Sequence, residues 1–191
     1  MAQYIVLSAP SGAGKTTIAK QLVERNADFK ISISATTRMR RPMEIDGVDY
    51  YFLEFDDFAK KIERNEFIEH EQVHGDYYGT IRSIVENLIA DGFSVIFDID
   101  VKGALSIKKV YPQALLIFIK APSLSELRSR LKRRRSENRQ AIEKRLRRID
   151  YEYSQAEKFD FTVINKNLKK TVDQIENIIR NHKTENYEFK R

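Results

Sequence analysis

The chain has 191 residues, of which 41% are hydrophobic and 32% are charged, a composition typical of a folded globular protein. No apolar run approaches the roughly 20 residues that a membrane-spanning helix needs, and the N-terminal residues lack the features of a secretory signal peptide. The absence of cysteine excludes disulfides, thiolate catalysis and cysteine metal sites. We therefore expect a cytoplasmic protein without a membrane partner.

The net charge of +6 is concentrated in one segment of the chain. Residues 126–148 contain 11 Lys/Arg and 3 Asp/Glu, a net charge of +8, which leaves −2 for the rest. Such a run is ordinarily a solvated helix face. Its functional interpretations are the binding of nucleic acid or of a polyphosphate.

Apolar strands alternate with helical segments along most of the chain, which predicts an α/β fold with a parallel sheet and flanking helices. The predicted strands cover residues 3–8, 31–34, 93–97, 114–119 and 161–164. The predicted helices cover residues 16–26, 80–90, 103–109, 123–132, 140–157 and 171–182. Residues 35–80 are rich in Arg, Asp, Glu and Tyr, and we interpret them as an inserted small lobe with short strands and one helix near residues 56–64.

A phosphate-binding motif lies between the first predicted strand and the first predicted helix. It fits the pattern G-x-x-x-x-G-K-[ST], except that the first glycine is an alanine; the residues are Ala9, Pro10, Ser11, Gly12, Ala13, Gly14, Lys15 and Thr16, with Thr17 beside them. Backbone N–H groups of such a loop surround the phosphates, the lysine reaches the β- and γ-oxygens, and the hydroxyl of Thr16 ligates Mg²⁺. The motif predicts a nucleotide-binding protein, an NTPase or a kinase, and does not identify the acceptor.

The inserted lobe carries donors suited to a phosphate monoester. Arg38, Arg41, Tyr50 and Tyr78 supply guanidinium forks and hydroxyls. Glu69 offers a carboxylate that accepts from both N1–H and the N2 amine of guanine, whereas adenine has neither donor. Any one of these residues alone would usually be a surface residue without a function. The interpretation therefore depends on their joint occurrence beside the phosphate motif.

The order and spacing of these residues resemble the guanylate kinases from Tyr4 to about Ile179. The matching positions are residues 32–38, Arg41, Glu44, Gly47, Tyr50, Phe52, residues 67–69, residues 77–80 and residues 98–103. The resemblance implies a P-loop NTPase core, an inserted small GMP-binding lobe and a helical lid. It also implies that the enzyme moves the γ-phosphoryl group of ATP to GMP or dGMP with Mg²⁺, and that ATP and GMP are its small-molecule partners.

The resemblance also implies a role for each candidate residue. Ser34, Glu69 and Thr80 would contact guanine, and Arg38, Arg41, Tyr50 and Tyr78 would hold the GMP phosphate. Asn165 would lie near the adenine of ATP, and Arg134 and Arg145 would reach the phosphates from the lid. The implied catalytic set is Lys15, Arg41, Arg134 and Arg145.

Two carboxylates follow the strand at residues 93–97. Because ligands bind at the carboxyl ends of parallel strands, we expect Asp98 to hold Mg²⁺ through water and Asp100 to orient Arg38 or reach GMP. The predicted organisation is one domain over residues 1–191. Its core covers residues 1–34, 81–122 and 151–191, its GMP-binding lobe residues 35–80, and its lid residues 123–150.

Several residues depart from the family pattern, among them Arg40, Met43 and Lys166. Met43 stands where the family usually has glycine, and glycine often serves positions with φ > 0. We therefore expect a different backbone at residues 40–44, which affects the placement of Arg41. None of the departures removes a group with an assigned role.

Three other interpretations stand beside this one. A non-catalytic interaction module would have lost nucleotide-site residues, whereas this chain keeps Lys15, Thr16 and Arg38. A nucleic-acid-binding protein would spread its positive charge along a groove, whereas here the charge clusters in the implied lid, so we expect no nucleic-acid partner. A kinase acting on another phosphorylated acceptor is disfavoured by the three implied guanine contacts. The oligomeric state is not indicated by the sequence.

Overall fold

The computed structural model describes residues 2–73, 75–123, 125–127 and 149–188, with side chains described up to residue 182. The strands are β1 (Tyr4–Ser8), β2 (Phe29–Ser32), β3 (Ala35–Thr36), β4 (Tyr51–Phe52), β5 (Phe67–Val73), β6 (Asp76–Ile81), β7 (Ser94–Asp98), β8 (Leu115–Lys120) and β9 (Phe161–Ile164). The helices are α1 (Lys15–Arg25), α2 (Phe55–Glu63), α3 (Arg82–Ala90), α4 (Val101–Val110) and α5 (Leu168–Glu188). Residues 149–154 are also helical, and Ala156–Lys158 form a 3₁₀ turn.

The main sheet has five strands in the order β2-β7-β1-β8-β9, and every pairing in it is parallel. Its central strands are buried on both faces, which explains their continuous apolar runs. Alternate residues face opposite sides, so that Ile5 and Leu7 pack with α1 and α5 while Val6 packs with α3 and α4. The α/β fold with helices on both faces of a parallel sheet is therefore confirmed.

A second sheet of four strands, in the order β4-β3-β6-β5, lies within residues 35–81. Its small core contains Ala35, Phe58 and Phe67, and the rings of the two phenylalanines stack with centroids 4.4 Å apart. The pairing of β5 with β6 is interrupted between Phe67 and Glu69. A bulge of this kind redirects a side chain, and here it places Glu69 opposite Thr80.

Several helices and strands begin or end at residues other than the predicted ones. Helix α4 begins at Val101, two residues before the prediction, because the Asp100 side chain accepts a hydrogen bond from the N–H of Gly103 at 2.9 Å and caps the helix. Strand β2 ends at Ser32, and Ser34 is left outside it. Helix α5 starts at Leu168 and continues to Glu188. In the part of the chain that the structure describes, no helix is long and apolar enough to span a membrane.

The fold brings the candidate residues to one edge of the main sheet. The phosphate motif follows β1, and Asp98 ends β7, its direct neighbour in the sheet. Parallel strands place their carboxyl ends together, and ligands of open α/β sheets bind at that edge. The second sheet is attached to the same region, since β5 packs against α4.

Candidate functional site

The phosphate motif forms a tight loop that leads directly into α1. Gly12 and Gly14 have φ values of 90° and 98°, a conformation that residues with a side chain rarely adopt. The Ala13 N–H donates to the Pro10 carbonyl at 3.0 Å, which closes the turn. The loop therefore presents the N-terminal end of an 11-residue helix, where free N–H groups and the helix dipole favour an anion.

The Asn165 side chain holds this loop through a hydrogen bond to its backbone. Its side-chain Nδ2 donates to the Ala13 carbonyl at 2.9 Å, and its Oδ1 accepts from the Thr171 hydroxyl at 3.2 Å. A Cβ atom on Gly14 would lie 2.7 Å from the same Nδ2, so this amide packs directly on the loop. The side chain is 7% exposed and has a supporting role that the sequence did not indicate; its proximity to adenine stays a prediction.

Lys15 and Asp98 form an ion pair at the centre of the site. Lys15 is the first residue of α1, and Asp98 is the last residue of β7. The pairing places a carboxylate beside the lysine that the motif assigns to the phosphates. A bound polyphosphate would compete with this carboxylate for the lysine.

The oxygen donors near the loop fit an Mg²⁺ ion carried in by a nucleotide. Thr16 has an exposed hydroxyl-bearing side chain in the first turn of α1, and the Asp98 carboxylate lies across from that turn at Lys15. Among the residues described, no group of three or more His, Cys, Asp or Glu side chains forms a metal cage. Mg²⁺ is usually bound by one or two protein oxygens together with substrate phosphates and water, which is what these residues offer.

One cavity of about 310 Å³ connects the phosphate loop with the inserted lobe. On one side it is lined by residues 9–12 and 14–17 of the phosphate motif. On the other side it is lined by Tyr50, Val73, Tyr78, Asp100 and Glu152. Two of the predicted GMP-phosphate residues, Tyr50 and Tyr78, therefore share a cavity with the predicted ATP site.

Arg38 is held in place by a carboxylate and two aromatic rings. Its Nη2 lies 2.7 Å from Glu44 Oε1, and its guanidinium carbon lies 5.4 Å from the Tyr50 ring centroid and 5.8 Å from that of Phe52. Such stacking is favourable for arginine. The ring of Tyr78 is 6.0 Å from that of Tyr50, so Arg38, Tyr50 and Tyr78 form one cluster; that this cluster holds the GMP phosphate stays a prediction.

The charges of this cluster suit an anionic ligand. Burial, reinforced by the negative charge of Asp98, raises the pKa of Tyr50 to about 12, so its hydroxyl keeps its proton at neutral pH. Burial would raise the pKa of Glu44, but the hydrogen bonds from Arg38 and from the Arg41 backbone outweigh it and lower that pKa. The cluster therefore presents a charged guanidinium and a neutral hydroxyl donor.

Arg41 lies in a turn that Glu44 organises. The Glu44 N–H donates to the Arg41 carbonyl at 3.0 Å, and Glu44 Oε2 accepts from the Arg41 N–H at 2.9 Å. Met43 is 91% exposed, and its φ is not positive. Among the non-glycine residues described, only Asn65 has a positive φ. The methionine is therefore accommodated without strain, and the Arg41 side chain is exposed beside the cluster.

Glu69 and Thr80 form a buried polar pair. The Thr80 hydroxyl donates to Glu69 Oε1 at 2.6 Å. Thr80 is 0% exposed and Glu69 is 9% exposed. Burial, together with the nearby negative charges of Asp100 and Glu71, raises the pKa of Glu69 to about 7 against the opposing effect of the Thr80 hydrogen bond. Ala35 pairs with Gly79 in the antiparallel ladder of β3 and β6; Ser34 directly precedes this ladder in one strand, and Thr80 directly follows it in the other.

Two acidic residues were given no role by the sequence. Glu44 contacts both Arg38 and Arg41. In the sequence, the signal for this role was the three-residue spacing of Arg38, Arg41 and Glu44. Glu152 is 5% exposed and lines the cavity. Its signal in the sequence was its position in the predicted helix at residues 140–157, three residues after Ile149 and four before Ala156. Arg134 and Arg145, and with them nearly all of the predicted lid, lie outside the described residues.

Comparisons with known proteins agree with this geometry. A family model described as guanylate kinase matches residues 1–182. A guanylate kinase of Chlorobaculum tepidum is 49% identical over 174 residues, which cover 91% of this chain and 89% of the relative. One from Thermotoga maritima is 42% identical over 181 residues, covering 95% of this chain and 87% of the relative.

The fold has a solved counterpart as well. The crystal structure of a guanylate kinase from Anaplasma phagocytophilum superimposes with a TM-score of 0.78 at 33% identity, covering 94% of this chain and 85% of that one. The phosphate loop, the arginine and tyrosine cluster and the buried glutamate thus occur in a chain whose relatives match it along most of its length. The chain therefore belongs to the guanylate kinase family.

Proposed function

We propose that the two sides of this cavity bind ATP and GMP and align them for direct phosphoryl transfer. The chain moves the γ-phosphoryl group of ATP to GMP and releases ADP and GDP. The observation that supports the assignment of residues most strongly is the shared cavity, which is lined by the phosphate loop on one side and by Tyr50 and Tyr78 on the other. No covalent intermediate is required, because positioning and electrostatic stabilisation supply most of the rate of phosphoryl transfer.

On the donor side, the loop N–H groups bind the ATP phosphates and Lys15 reaches the β- and γ-oxygens. Lys15 is free to do so when the phosphates displace the Asp98 carboxylate from it. Thr16 directly and Asp98 through water would hold Mg²⁺, which supplies charge neutralisation of the transferring phosphoryl group when it is bound. Asn165 keeps the loop in its binding conformation through the Ala13 carbonyl.

On the acceptor side, Arg38, Arg41, Tyr50 and Tyr78 hold the GMP phosphate. Glu44 supports this group by fixing the direction of the Arg38 guanidinium before the substrate arrives. An arginine that is already held in place loses less rotational freedom on binding. The preformed contact therefore favours binding of the phosphate in one orientation.

Guanine is recognised by Ser34, Glu69 and Thr80. The Thr80 hydroxyl fixes one oxygen of Glu69, and the carboxylate accepts from guanine N1–H and the N2 amine. A site built from such buried acceptors rejects bases that lack the matching donors, because its polar groups are left unpaired. Asp100 caps α4 and lines the cavity, which supports its assignment to the same substrate.

The division into core, GMP-binding lobe and lid is part of this proposal. The second sheet lies within residues 35–81, which supports a lobe at residues 35–80. The lid at residues 123–150, with Arg134 and Arg145 contacting the phosphates in the closed complex, is supported by the family resemblance and by the positive charge of that segment. Use of dGMP and a cytoplasmic location stay predictions.

Replacing Arg38 with methionine is expected to raise the KM for GMP by about tenfold, the effect of losing one charge-assisted hydrogen bond. The KM for ATP should change little, because ATP binds at the phosphate loop. Steady-state kinetics with each substrate varied in turn measure both values. Arg64→Met is the matched control, since Arg64 is an exposed arginine of the same lobe, and equal effects of the two substitutions would contradict the assignment.

GMP binding is expected to weaken as the pH falls below 7. The pKa of Glu69 is raised to about 7, so its protonated fraction grows in that range, and a protonated carboxyl no longer accepts at both oxygens. Well below this pKa, the KM for GMP should rise by about tenfold per pH unit in the wild type relative to Glu69→Gln. Because the GMP phosphate also titrates near pH 6, the ratio of the two enzymes isolates Glu69, and a pH-independent ratio would exclude this role.

A further inference from the structure

Gly103 lies in the first turn of α4 and faces the carboxylate of Glu69. A Cβ atom on Gly103 would lie 2.8 Å from Glu69 Oε2 and 3.3 Å from Glu69 Cδ, well inside the separation at which non-bonded atoms attract. The φ of Gly103 is not positive, so an L-residue is compatible with its backbone. The glycine is therefore required for space and not for conformation.

The helix itself is fixed in position. Val101, Ala104 and Ile107 are fully buried in the core, and the Asp100 side chain caps the helix at the Gly103 N–H. Withdrawal of α4 would break these contacts, whereas the end of the Glu69 side chain moves by rotation about its own bonds. Ile99 Cδ1 would also lie 3.3 Å from this Cβ, but the 2.8 Å contact with Glu69 Oε2 is the shortest, so the Glu69 carboxylate is the group that yields most when position 103 gains a side chain.

We propose that Gly103 is a specificity-determining positioning residue, whose missing side chain leaves the space in which the Glu69 carboxylate reads guanine. The inference rests on the guanine-reading role proposed for Glu69. Thr80 holds Oε1 from one side, and Gly103 gives Oε2 its room on the other. Any larger residue at 103 shifts Oε2, and a misplacement of about 1 Å in a reacting or binding group costs on the order of 10²-fold.

The first test compares Gly103→Ala with Ser106→Ala, one turn further along the same helix. Gly103→Ala should raise the KM for GMP by at least about tenfold while the KM for ATP stays within about twofold. Its thermal midpoint should not fall, because alanine favours helix more than glycine does. Ser106→Ala should match the wild type. Failure of Gly103→Ala to fold, or equal increases in both KM values, would overturn the proposal.

The second test is a double-mutant cycle with Glu69→Gln. If the added Cβ acts through the carboxylate, Gly103→Ala should lower kcat/KM for GMP by less than about threefold in the Glu69→Gln background. Independent, multiplicative losses would overturn the proposal. An unimpaired Glu69→Gln enzyme would refute the reading of guanine by Glu69 and the inference with it. An impaired Glu69→Gln enzyme beside a normal Gly103→Ala enzyme would refute the role of Gly103 alone.

Discussion

Replacing Lys15 with alanine is expected to lower kcat by about 10²–10³-fold or more, the effect of removing a preorganised donor from the charge that develops in the transition state. The Lys15 ammonium group forms an ion pair with Asp98 beside the phosphate loop. Without it, the negative charge on the β- and γ-oxygens is unbalanced, and the neighbouring Asp98 carboxylate adds repulsion. A coupled ADP-release assay at saturating ATP and GMP measures the loss.

The control for this prediction is Lys20→Ala. Lys20 lies on α1 as well, but its side chain is exposed and its ion pair with Asp49 is long, at 3.7 Å. Exposed pairs of this kind contribute little, so this variant should keep wild-type turnover. Both variants should show the circular dichroism of the folded enzyme. A folded Lys15→Ala enzyme that kept more than about a tenth of kcat would contradict the assigned role.

Glu69→Gln is expected to lower kcat/KM for GMP by a factor that corresponds to about 1.5–3 kcal/mol, the range for a hydrogen bond to a charged group. Glutamine keeps the shape of the side chain and can still accept from Thr80 at one oxygen. Its amide replaces the second acceptor with a donor, which opposes the donors of guanine. The KM for ATP should change much less, since the phosphate loop is untouched.

The comparison variant for Glu69 is Glu71→Gln. Glu71 lies on the same strand, two residues further along, and pairs with the exposed Lys102 at 3.5 Å. Steady-state assays with GMP and AMP on both purified variants separate the two residues. Were Glu69→Gln to keep wild-type kinetics with GMP and wild-type rejection of AMP, the residue would be a structural member of the lobe.

The phosphate loop was predictable because its signal is local. The spacing of Gly12, Gly14 and Lys15 between an apolar strand and a helix predicts both a tight turn and phosphate binding by that turn. The structure has the turn at this place, between β1 and α1. The parallel sheet was predictable for a similar reason, since alternating strands and helices leave few other arrangements. Boundaries moved where a side chain decided them, as Asp100 did for α4.

The properties of Glu69 were not predictable in the same way. The burial of Glu69 comes from a bulge in β5, from its pairing with Thr80 eleven residues away and from the approach of α4 at Gly103. This burial raises the pKa of the carboxyl. These contacts form only when distant segments meet, so no pattern in the sequence reports them. The same holds for Asn165, whose contact with Ala13 joins residues 152 positions apart.

We infer that this cavity pairs an ATP site with an acceptor site built for guanine. The most direct test is a coupled ADP-release assay with ATP, Mg²⁺ and each of GMP, AMP, CMP and UMP as acceptor. We expect turnover with GMP and a kcat/KM for AMP about 10⁴-fold lower, the discrimination reached when buried acceptors are left unpaired. Comparable values of kcat/KM for GMP and any other acceptor would contradict it.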